Sequence, residues 1–367
     1  MNKINICIVG CGNCCSSLLQ GLQYYKDVKE TDSQIPGIMH NSIGGYLISD
    51  IRPALAYDID ARKVGQPLYE AIFCHPNNTK IFCKDISESG VVVKMGKILD
   101  GFSPHLLNYD EKYRIVLSEE KEPSKEDIVR DLKDTKIDMV INYLPVGSQL
   151  STEFYAQAAL EANCAFINCI PVFISSNKDW AEKFQDANLP IIGDDVKSQI
   201  GATIVHRTLT QMILDRGAKI DSSYQLNVGG NTDFRNMLDQ SRLKSKKISK
   251  TESISSQIPV SHNAYVYAGP NGCIDCLDDN KICHLRIDFR LFGNIPAYID
   301  LKLSVEDSPN SAGVVIDAIR TAKICLDRKI GGPLIPACAY YMKHPPIQMR
   351  EQIAREQIEK FISEDNL

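Results

Sequence analysis

A short apolar run, a turn with two glycines and a helical repeat open the chain, and this order constrains the fold more than any other feature. Residues 4–9 are rich in β-branched side chains, and residues 16–22 have helical spacing. Strand, turn and helix in that order are the context that a dinucleotide site requires. Gly10 permits the tight turn, and Gly12 lets the backbone approach a pyrophosphate at the helix N-terminus. Cys15 takes the third glycine position, so a purely structural turn stays the alternative.

Asp58 ends the next strand-like run, residues 54–57. It is the expected acidic contact to a ribose, although the spacing is long because residues 31–50 read as a loop insertion. A carboxylate at this point accepts both ribose hydroxyls and repels a 2′-phosphate, so the sequence favours NAD over NADP. The alternative role for Asp58 is to cap a helical segment at residues 61–64.

Strand-like and helical segments alternate through the first two hundred residues. Strands are expected at 91–93, 137–144, 165–170 and 190–193, and helices at 152–162 and 178–187, with weak signals in the rest of 66–135. This alternation predicts an α/β fold with a Rossmann-like, doubly wound parallel sheet. Ligands of such a sheet gather at the carboxyl ends of its strands, where Gly12, Asp58, residues 145–148 and residues 194–195 lie.

The pattern becomes β-rich from about residue 218. Residues 281–291 and 297–303 alternate apolar and polar side chains, as half-exposed strands of an antiparallel sheet do. We therefore expect residues 1–200 to form the dinucleotide-binding domain, completed by residues 307–367, and residues 201–306 to form an α+β domain. The mostly antiparallel sheet of that second domain is expected to present one face to a partner such as another subunit.

Two stretches suggest sites for an anion. Four lysines fall within residues 244–250, after the pair Gly229–Gly230. They indicate either a solvated helix face or a pocket in which amines hold a phosphorylated substrate. The turn at 197–203, which opens a helix reaching about Asp215, is a second possible anion cradle, and ordinary capping by Asp195 or Ser198 is its alternative.

Charge and composition argue against other classes of protein. A net charge of −5 gives no support to non-specific nucleic-acid binding. No apolar run reaches the roughly 18 residues that span a bilayer, and the first residues do not resemble a signal peptide, so we expect a cytoplasmic protein without a membrane partner. The odd count of 13 cysteines suggests reduced, buried thiols.

Cys273, Cys276, Cys283 and His284 suggest a zinc site at first sight. The alternating pattern places Cys283 and His284 on opposite faces of one strand, where they cannot readily share a metal. We therefore expect no metal site.

Six segments together resemble the myo-inositol-1-phosphate synthases of the short bacterial and archaeal type. They are residues 9–17, 143–148, 193–199, 226–231, 245–250 and 307–313, and the resemblance covers nearly the whole chain. It implies an enzyme of the isomerase class that uses NAD to convert D-glucose 6-phosphate to 1L-myo-inositol 1-phosphate. The implied route is oxidation at C5, enolisation, intramolecular aldol closure and re-reduction, with no net redox change. It also implies a homotetramer, and it makes residues 201–306 the catalytic and tetramerisation domain.

The resemblance implies roles for individual residues, carried over motif by motif. Lys246 is expected to take the C5 hydroxyl proton and Lys343 to stabilise the C5 oxyanion, while Lys250 and Lys281 face the phosphate and the C1 oxygen. Asp195 and Asp233 are expected to orient lysines and the nicotinamide end. Ser198 and Gln199 are expected to meet the phosphate. The expected cofactor-binding residues are Gly10, Gly12, Asn13, Cys14, Asp58, Pro145, Asp195, Asp307 and Ser308.

Clustered lysines suit this chemistry, because amines can stabilise an enolate and an oxyanion, and crowding lowers the pKa of some of them enough for base work. Two other classes of function stay open at this level. One is an NAD(P)-dependent dehydrogenase with net redox turnover on a phosphorylated sugar or hydroxy acid, and the other is a non-catalytic NAD-binding regulator.

Overall fold

Thirteen β-strands and eleven α-helices are present in residues 3–364, the part of the chain that this computed structural model describes. The strands are β1 (Ile4–Val9), β2 (Ser42–Ile43), β3 (Tyr46–Leu47), β4 (Ile51–Asp58), β5 (Lys94–Met95), β6 (Met139–Asn142), β7 (Ala165–Asn168), β8 (Pro190–Ile192), β9 (Lys219–Gly229), β10 (Tyr265–Cys273), β11 (Asn280–Arg290), β12 (Pro296–Glu306) and β13 (Gly332–Pro333). The helices are α1 (Asn13–Tyr24), α2 (Leu68–Ala71), α3 (Lys125–Asp134), α4 (Gln149–Glu161), α5 (Lys178–Asp186), α6 (Ala202–Asp215), α7 (Thr232–Asn236), α8 (Lys244–Ser255), α9 (Asp307–Asp327), α10 (Ile335–Tyr341) and α11 (Glu351–Ser363).

A seven-stranded parallel sheet forms the larger unit, in the order β13-β8-β7-β6-β1-β4-β5. The central strand β1 is apolar on both faces, because Ile6 and Ile8 belong to one core and Cys7 and Val9 to the other. The strand order reverses between β1 and β6, which is the point where ligands bind in doubly wound sheets. The seventh strand, β13, comes from the C-terminal part of the chain.

The predicted Rossmann-like alternation is confirmed, and most differences concern where elements begin. The strand expected at 91–93 is instead β5 at Lys94–Met95, because the backbone of Val93 pairs with Gly65 and Gln66 in a loop. The insertion at 31–50 contains the small hairpin of β2 and β3.

A second, four-stranded sheet has the order β10-β9-β11-β12. Two of its pairings are antiparallel and that of β10 with β9 is parallel, so it is mostly antiparallel, as predicted. Along β11, Cys283, Leu285 and Ile287 are buried while His284 is exposed. Cys283 and His284 therefore face opposite ways, as the alternation predicts. That this sheet meets another subunit stays a prediction.

All thirteen cysteines are free thiols, and eight of them are buried. This agrees with the expectation of reduced thiols inside the cores. None of the helices within residues 3–364 has the length and apolar character needed to cross a bilayer.

Arg320 anchors the insertion to the parallel sheet unit. It lies in α9, is completely buried and forms an ion pair with Asp317. Its guanidinium also donates to the carbonyl oxygens of His40, Asn41 and Tyr46, at 2.8, 3.1 and 3.4 Å. One side chain thus satisfies three carbonyl groups of the inserted loop.

Replacing Arg320 is therefore expected to destabilise the protein strongly. Arg320→Met takes the guanidinium away from the buried Asp317, whose other oxygen is paired with Nδ1 of His40, and loss of one partner of a buried ion pair costs up to about 3–5 kcal/mol of unfolding free energy. Urea denaturation measures this change. Arg355→Met is the matched control, because Arg355 forms an exposed pair with Glu359 on α11, and we expect a change within about 0.5 kcal/mol. Equal effects of the two substitutions would contradict the anchoring role.

Candidate active site

A cavity of about 220 Å³ lies at the carboxyl ends of the parallel strands, where the strand order reverses. Thirteen of the residues expected from the sequence line it, namely Gly10, Gly12, Asn13, Cys14, Asp58, Pro145, Asp195, Ser198, Asp233, Lys246, Asp307, Ser308 and Lys343. A smaller cavity of about 20 Å³ shares Ser198 and Lys343 with the first and is also lined by Lys250 and Lys281. Residues from distant segments of the chain therefore meet at one place.

Gln199 is the expected site residue that lines neither cavity. Its amide donates to the carbonyl oxygen of Gly37 at 2.9 Å. A Cβ added to Gly313 would lie 2.5 Å from the amide carbon of Gln199, so the side chain packs against α9. The structure thus directs the Gln199 side chain away from the expected phosphate site.

The glycine turn has the geometry that a close backbone approach needs. Gly10 has a φ of +95°, and a Cβ there would lie 2.7 Å from the carbonyl oxygen of Tyr143. At Gly12 a Cβ would meet nothing within 4 Å, so the backbone faces open space. Gly12 is also the N-cap of α1, and no side chain caps that helix, which leaves its first amide groups free for a ligand.

Asp58 lines the cavity, but its carboxylate also stabilises the surrounding backbone. It accepts hydrogen bonds from the amides of Cys11, Ile59 and Asp60, at 2.7, 2.7 and 2.8 Å. The alternative of capping residues 61–64 is wrong, because these donors lie outside that segment. A carboxylate has about four acceptor positions, so capacity for one ribose hydroxyl remains.

The lysine-rich helix α8 fits both of the interpretations left open by the sequence. Lys244 and Lys247 are exposed, as a solvated face requires. Lys246, Ser249 and Lys250 are buried on the other face and point into the protein. Two of the four lysines therefore face solvent, and the other two face the site.

Asp195 brings two of the site lysines together. Its Oδ1 lies 3.2 Å from Nζ of Lys246 and 2.9 Å from Nζ of Lys343. Ser249 donates to the other oxygen, Oδ2, at 2.6 Å. Lys281 forms a separate ion pair with Asp307.

The backbone of Asp195 is held in an unusual conformation. Its φ is +63°, a left-handed value that is uncommon outside glycine and that costs energy. The amide of Asp195 donates to the carbonyl of Ile170, and the amide of Lys343 donates to the carbonyl of Asp195 at 2.7 Å. Strain of this kind persists where the surrounding structure enforces it, and here it aims the carboxylate at both amines.

Burial and neighbouring charges separate the protonation states of Asp195 and the two amines that it holds. Burial opposes the charge of Asp195, but Lys246 and Lys343 outweigh it and hold the pKa of the carboxyl well below its usual value. Burial also opposes the cation of Lys246, but Asp195 and Asp233 raise its pKa. For Lys343, burial together with repulsion from Lys246 prevails over Asp195 and lowers the pKa.

Lys250 has the most perturbed amine of the site. Burial, followed by repulsion from Lys246, Lys281 and Lys343, lowers the pKa of Lys250 well below its ordinary value. A bound dianion would offset both effects and favour the charged form.

Helix α6 begins beside these amines without a side-chain cap. Its N-cap is Gly201, which makes no capping hydrogen bond through a side chain, so capping by Asp195 or Ser198 is wrong. Ala202, Thr203 and Ile204, in its first turn, line the small cavity together with the amines of Lys250, Lys281 and Lys343. Free amide groups, a helix dipole and clustered amines are the elements of an anion site.

Asp279 is a supporting residue that the sequence gave no reason to select. It is buried, and its Oδ1 accepts from the side chains of Asn13, Asn231 and Ser308, at 3.1, 2.8 and 3.0 Å. Burial raises the pKa of this carboxyl to about 6. Asp279 therefore ties the glycine turn to the starts of α7 and α9, although in the sequence it looks like one acid of an ordinary turn.

Comparison with known proteins agrees with this architecture. The family model described as "Myo-inositol-1-phosphate synthase" matches residues 201–308. An inositol-3-phosphate synthase of Mycobacterium tuberculosis is 48% identical over 361 residues, which cover 98% of this chain and 96% of that protein. The inositol-3-phosphate synthase of Corynebacterium glutamicum is 46% identical over 370 residues, 99% of each chain.

A solved structure also has this fold. The myo-inositol-1-phosphate synthase-related protein of Thermotoga maritima superposes with a TM-score of 0.79 at 23% identity, and the match covers 100% of both chains. Since the two bacterial relatives match over nearly their entire lengths, the chain belongs to the myo-inositol-1-phosphate synthase family.

Proposed function

We propose that this protein is an inositol-3-phosphate synthase that cyclises D-glucose 6-phosphate to 1L-myo-inositol 1-phosphate with NAD as a cofactor that is regenerated in each cycle. The observation that carries this proposal is the pair of amines, Lys246 and Lys343, held by one oxygen of Asp195 in a cavity that the glycine turn also lines. Membership of the family supports it. Hydride transfer needs one acid–base group, whereas four lysines also suit the enolate and oxyanion of the cyclisation.

The residues of the larger cavity fit a dinucleotide. The backbone at Gly12 faces open space, and Asp58 keeps acceptor capacity for a ribose hydroxyl. Two buried polar atoms of the cavity wall, Oη of Tyr143 and Oδ1 of Asn236, lack a hydrogen-bond partner within residues 3–364, as they would in a site whose ligand supplies the partner. NAD, when bound, supplies the oxidation at C5 and the later reduction. Gly10, Asn13, Cys14, Pro145, Asp307 and Ser308 complete the wall that we assign to it.

The smaller cavity is assigned to the phosphate of the substrate. Lys250, Lys281 and Ser198 line it, and the first turn of α6 contributes amide donors. A phosphate dianion there raises the pKa of Lys250 and favours its charged form. We assign the C1 oxygen to Lys281, which is paired with Asp307.

Oxidation at C5 requires a group that accepts the hydroxyl proton and a cation that stabilises the oxygen. The family resemblance assigns the proton to Lys246 and the oxyanion to Lys343. The opposite directions of their pKa values favour the reverse assignment, with Lys343 as the acceptor and Lys246 as the cation. Asp195 holds both amines, so either assignment uses the same three side chains.

The later steps need positive charge near the carbon that loses a proton. Removal of the C6 proton creates an enolate, which the cation of Lys246 stabilises. Asp233 lines the same wall and keeps Lys246 charged. The ring then closes onto a C1 carbonyl that is polarised by an amine.

The division of the chain and its assembly are part of the same proposal. We assign residues 1–200 and 307–367 to cofactor binding, and residues 201–306 to catalysis and to a homotetramer. The turn between β11 and β12 supports an interface, since Phe292 is almost fully exposed there and Tyr298 on β12 is exposed as well.

Redox balance tests the reaction. With glucose 6-phosphate and NAD, the purified protein is expected to form an inositol monophosphate, identified by NMR, while the absorbance of NADH at about 340 nm stays flat. Substrate oxidation with stoichiometric accumulation of NADH would identify a dehydrogenase and reject the proposed function.

The two amines on Asp195 are expected to be essential for turnover. Lys246→Met and Lys343→Met each remove a group that moves a proton or stabilises an oxyanion, so kcat is expected to fall about 10²–10⁴-fold while NAD still binds. Lys244→Met on the exposed face of α8 is the matched control and should keep wild-type kcat. Full activity in both site variants would overturn the lysine assignment. If both variants keep the biological effect of the wild-type protein, the non-catalytic regulator would be favoured.

Binding of the phosphate is expected to weaken as pH rises. Because the pKa of Lys250 is lowered, its cation is present at low pH and is lost as pH rises through that lowered value, so KM for glucose 6-phosphate should increase with pH. Lys250→Arg carries a permanent charge and should flatten this dependence, whereas Lys250→Met should raise KM by about 10- to 100-fold. Lys244→Arg should follow the wild type. An unchanged pH dependence in Lys250→Arg would show that Lys250 does not hold the phosphate.

A further inference from the structure

Asn236, at the end of α7, has a side chain whose orientation is fixed. The residue is 1% exposed, and its Nδ2 donates to the carbonyl oxygen of Val146 at 2.9 Å. The same carbonyl accepts from Nε of Arg242 at 2.9 Å. Since a carbonyl oxygen can only accept, the nitrogen of the amide must face Val146 and Oδ1 must face the other way.

The Oδ1 atom of Asn236 has no hydrogen-bond donor among residues 3–364. The residue lines the larger cavity, and a buried acceptor without a donor is unfavourable. The protein keeps this cost in its free state. The atom has less than 1 Å² of accessible surface, so the cavity wall has to shift slightly for the donor of a ligand to reach Oδ1 and remove this cost.

The surroundings of Asn236 distinguish between the two ligands of the proposed function. The small cavity, where the phosphate of the sugar is assigned, is lined by Lys250 and Lys281 and not by Asn236. The lining of the larger cavity contains Asn236 together with the apolar side chains of Val146, Leu106 and Ile115. Apolar walls with a few polar atoms suit a base or a ribose better than a sugar phosphate.

We propose that Oδ1 of Asn236 accepts a hydrogen bond from a ribose hydroxyl or the adenine amino group of NAD, and that Asn236 therefore sets the affinity for the dinucleotide. This inference rests on the proposed function, because it takes NAD as the cofactor. It assigns to Asn236 a binding role that is separate from the support it gives to Val146.

Two variants separate these roles. Asn236→Leu removes both polar atoms, and Asn236→Asp keeps the acceptor while losing the donor to Val146, beside the cationic side chain of Arg242. Nucleotide-free protein is titrated with NAD in a calorimeter, in the absence of sugar phosphate. The dissociation constant of Asn236→Leu should be about 2- to 12-fold higher than that of the wild type. Asn236→Asp should lose clearly less affinity.

Several outcomes overturn the inference. Binding of NAD by Asn236→Leu with wild-type affinity would mean that no donor of NAD reaches Oδ1. If both variants lose the same affinity for NAD, the only role left for Asn236 is its hydrogen bond to the carbonyl oxygen of Val146. An increased KM for glucose 6-phosphate with unchanged NAD affinity would assign the acceptor to the sugar. If the wild-type protein itself does not bind NAD, the proposed function is wrong about the cofactor. That result differs from the three outcomes above, in which the wild type binds NAD.

A second dinucleotide identifies the donor. Nicotinamide hypoxanthine dinucleotide carries an oxygen in place of the adenine amino group. If it binds the wild type more weakly than NAD but binds Asn236→Leu equally well, the donor is the adenine amino group. If the affinity ratio of the two dinucleotides is the same in both proteins, the donor is a ribose hydroxyl, and each result supports the proposal.

Discussion

One carboxylate oxygen, Oδ1 of Asp195, holds two amines that come from different parts of the chain. Lys246 reaches it from α8, and Lys343 reaches it from the segment after α10. Two buried ammonium groups at this distance repel each other, and burial alone would discharge both. The charged carboxylate between them is the condition for keeping either one protonated. The left-handed backbone of Asp195 and the hydrogen bonds that enforce it serve this contact.

The pairing also makes the two amines unequal. Lys246 has Asp233 as a second acidic neighbour and its pKa is raised, whereas the pKa of Lys343 is lowered. Two chemically identical groups thus differ in proton affinity because of their surroundings, which is how an enzyme obtains an acid and a base at one pH. A cyclisation that oxidises, enolises and reduces the same sugar needs both. The cavity assigned to the phosphate shares Lys343 with this pair, and Lys250, Lys281 and the start of α6 complete its charge balance.

The fold was predictable from the sequence wherever the signal is local. The β-branched run of β1, the glycine turn and the alternation along β11 depend on near neighbours, and each was confirmed. The short strand β5 was misplaced, because its position depends on a loop pairing with Gly65 and Gln66. The roles of Asp58 and Gln199 depend on partners that are distant in the chain, and no pattern of neighbouring residues indicates those partners.

The candidate site, too, was predictable only where its residues are close together in the sequence. The spacing of Lys246 and Lys250, one helical turn apart, places them on one face of α8, and their burial follows from that face meeting the second sheet and Asp195. Lys281 and Lys343 stand alone in the sequence and were found by resemblance only. Asp279 and the free acceptor of Asn236 gave no signal, because hydrogen-bond partners, present or missing, become visible only in three dimensions.

The segment that carries Lys343 has a consequence for the order in which the protein becomes competent. Its backbone pairs with Asp194, Asp195 and Lys197, and β13 just before it extends the parallel sheet. Translation delivers this segment after every other part of the centre. A nascent chain that has not yet reached Lys343 therefore lacks an amine that lines both cavities. The centre is complete only after this segment has been made and has paired with residues 194–197.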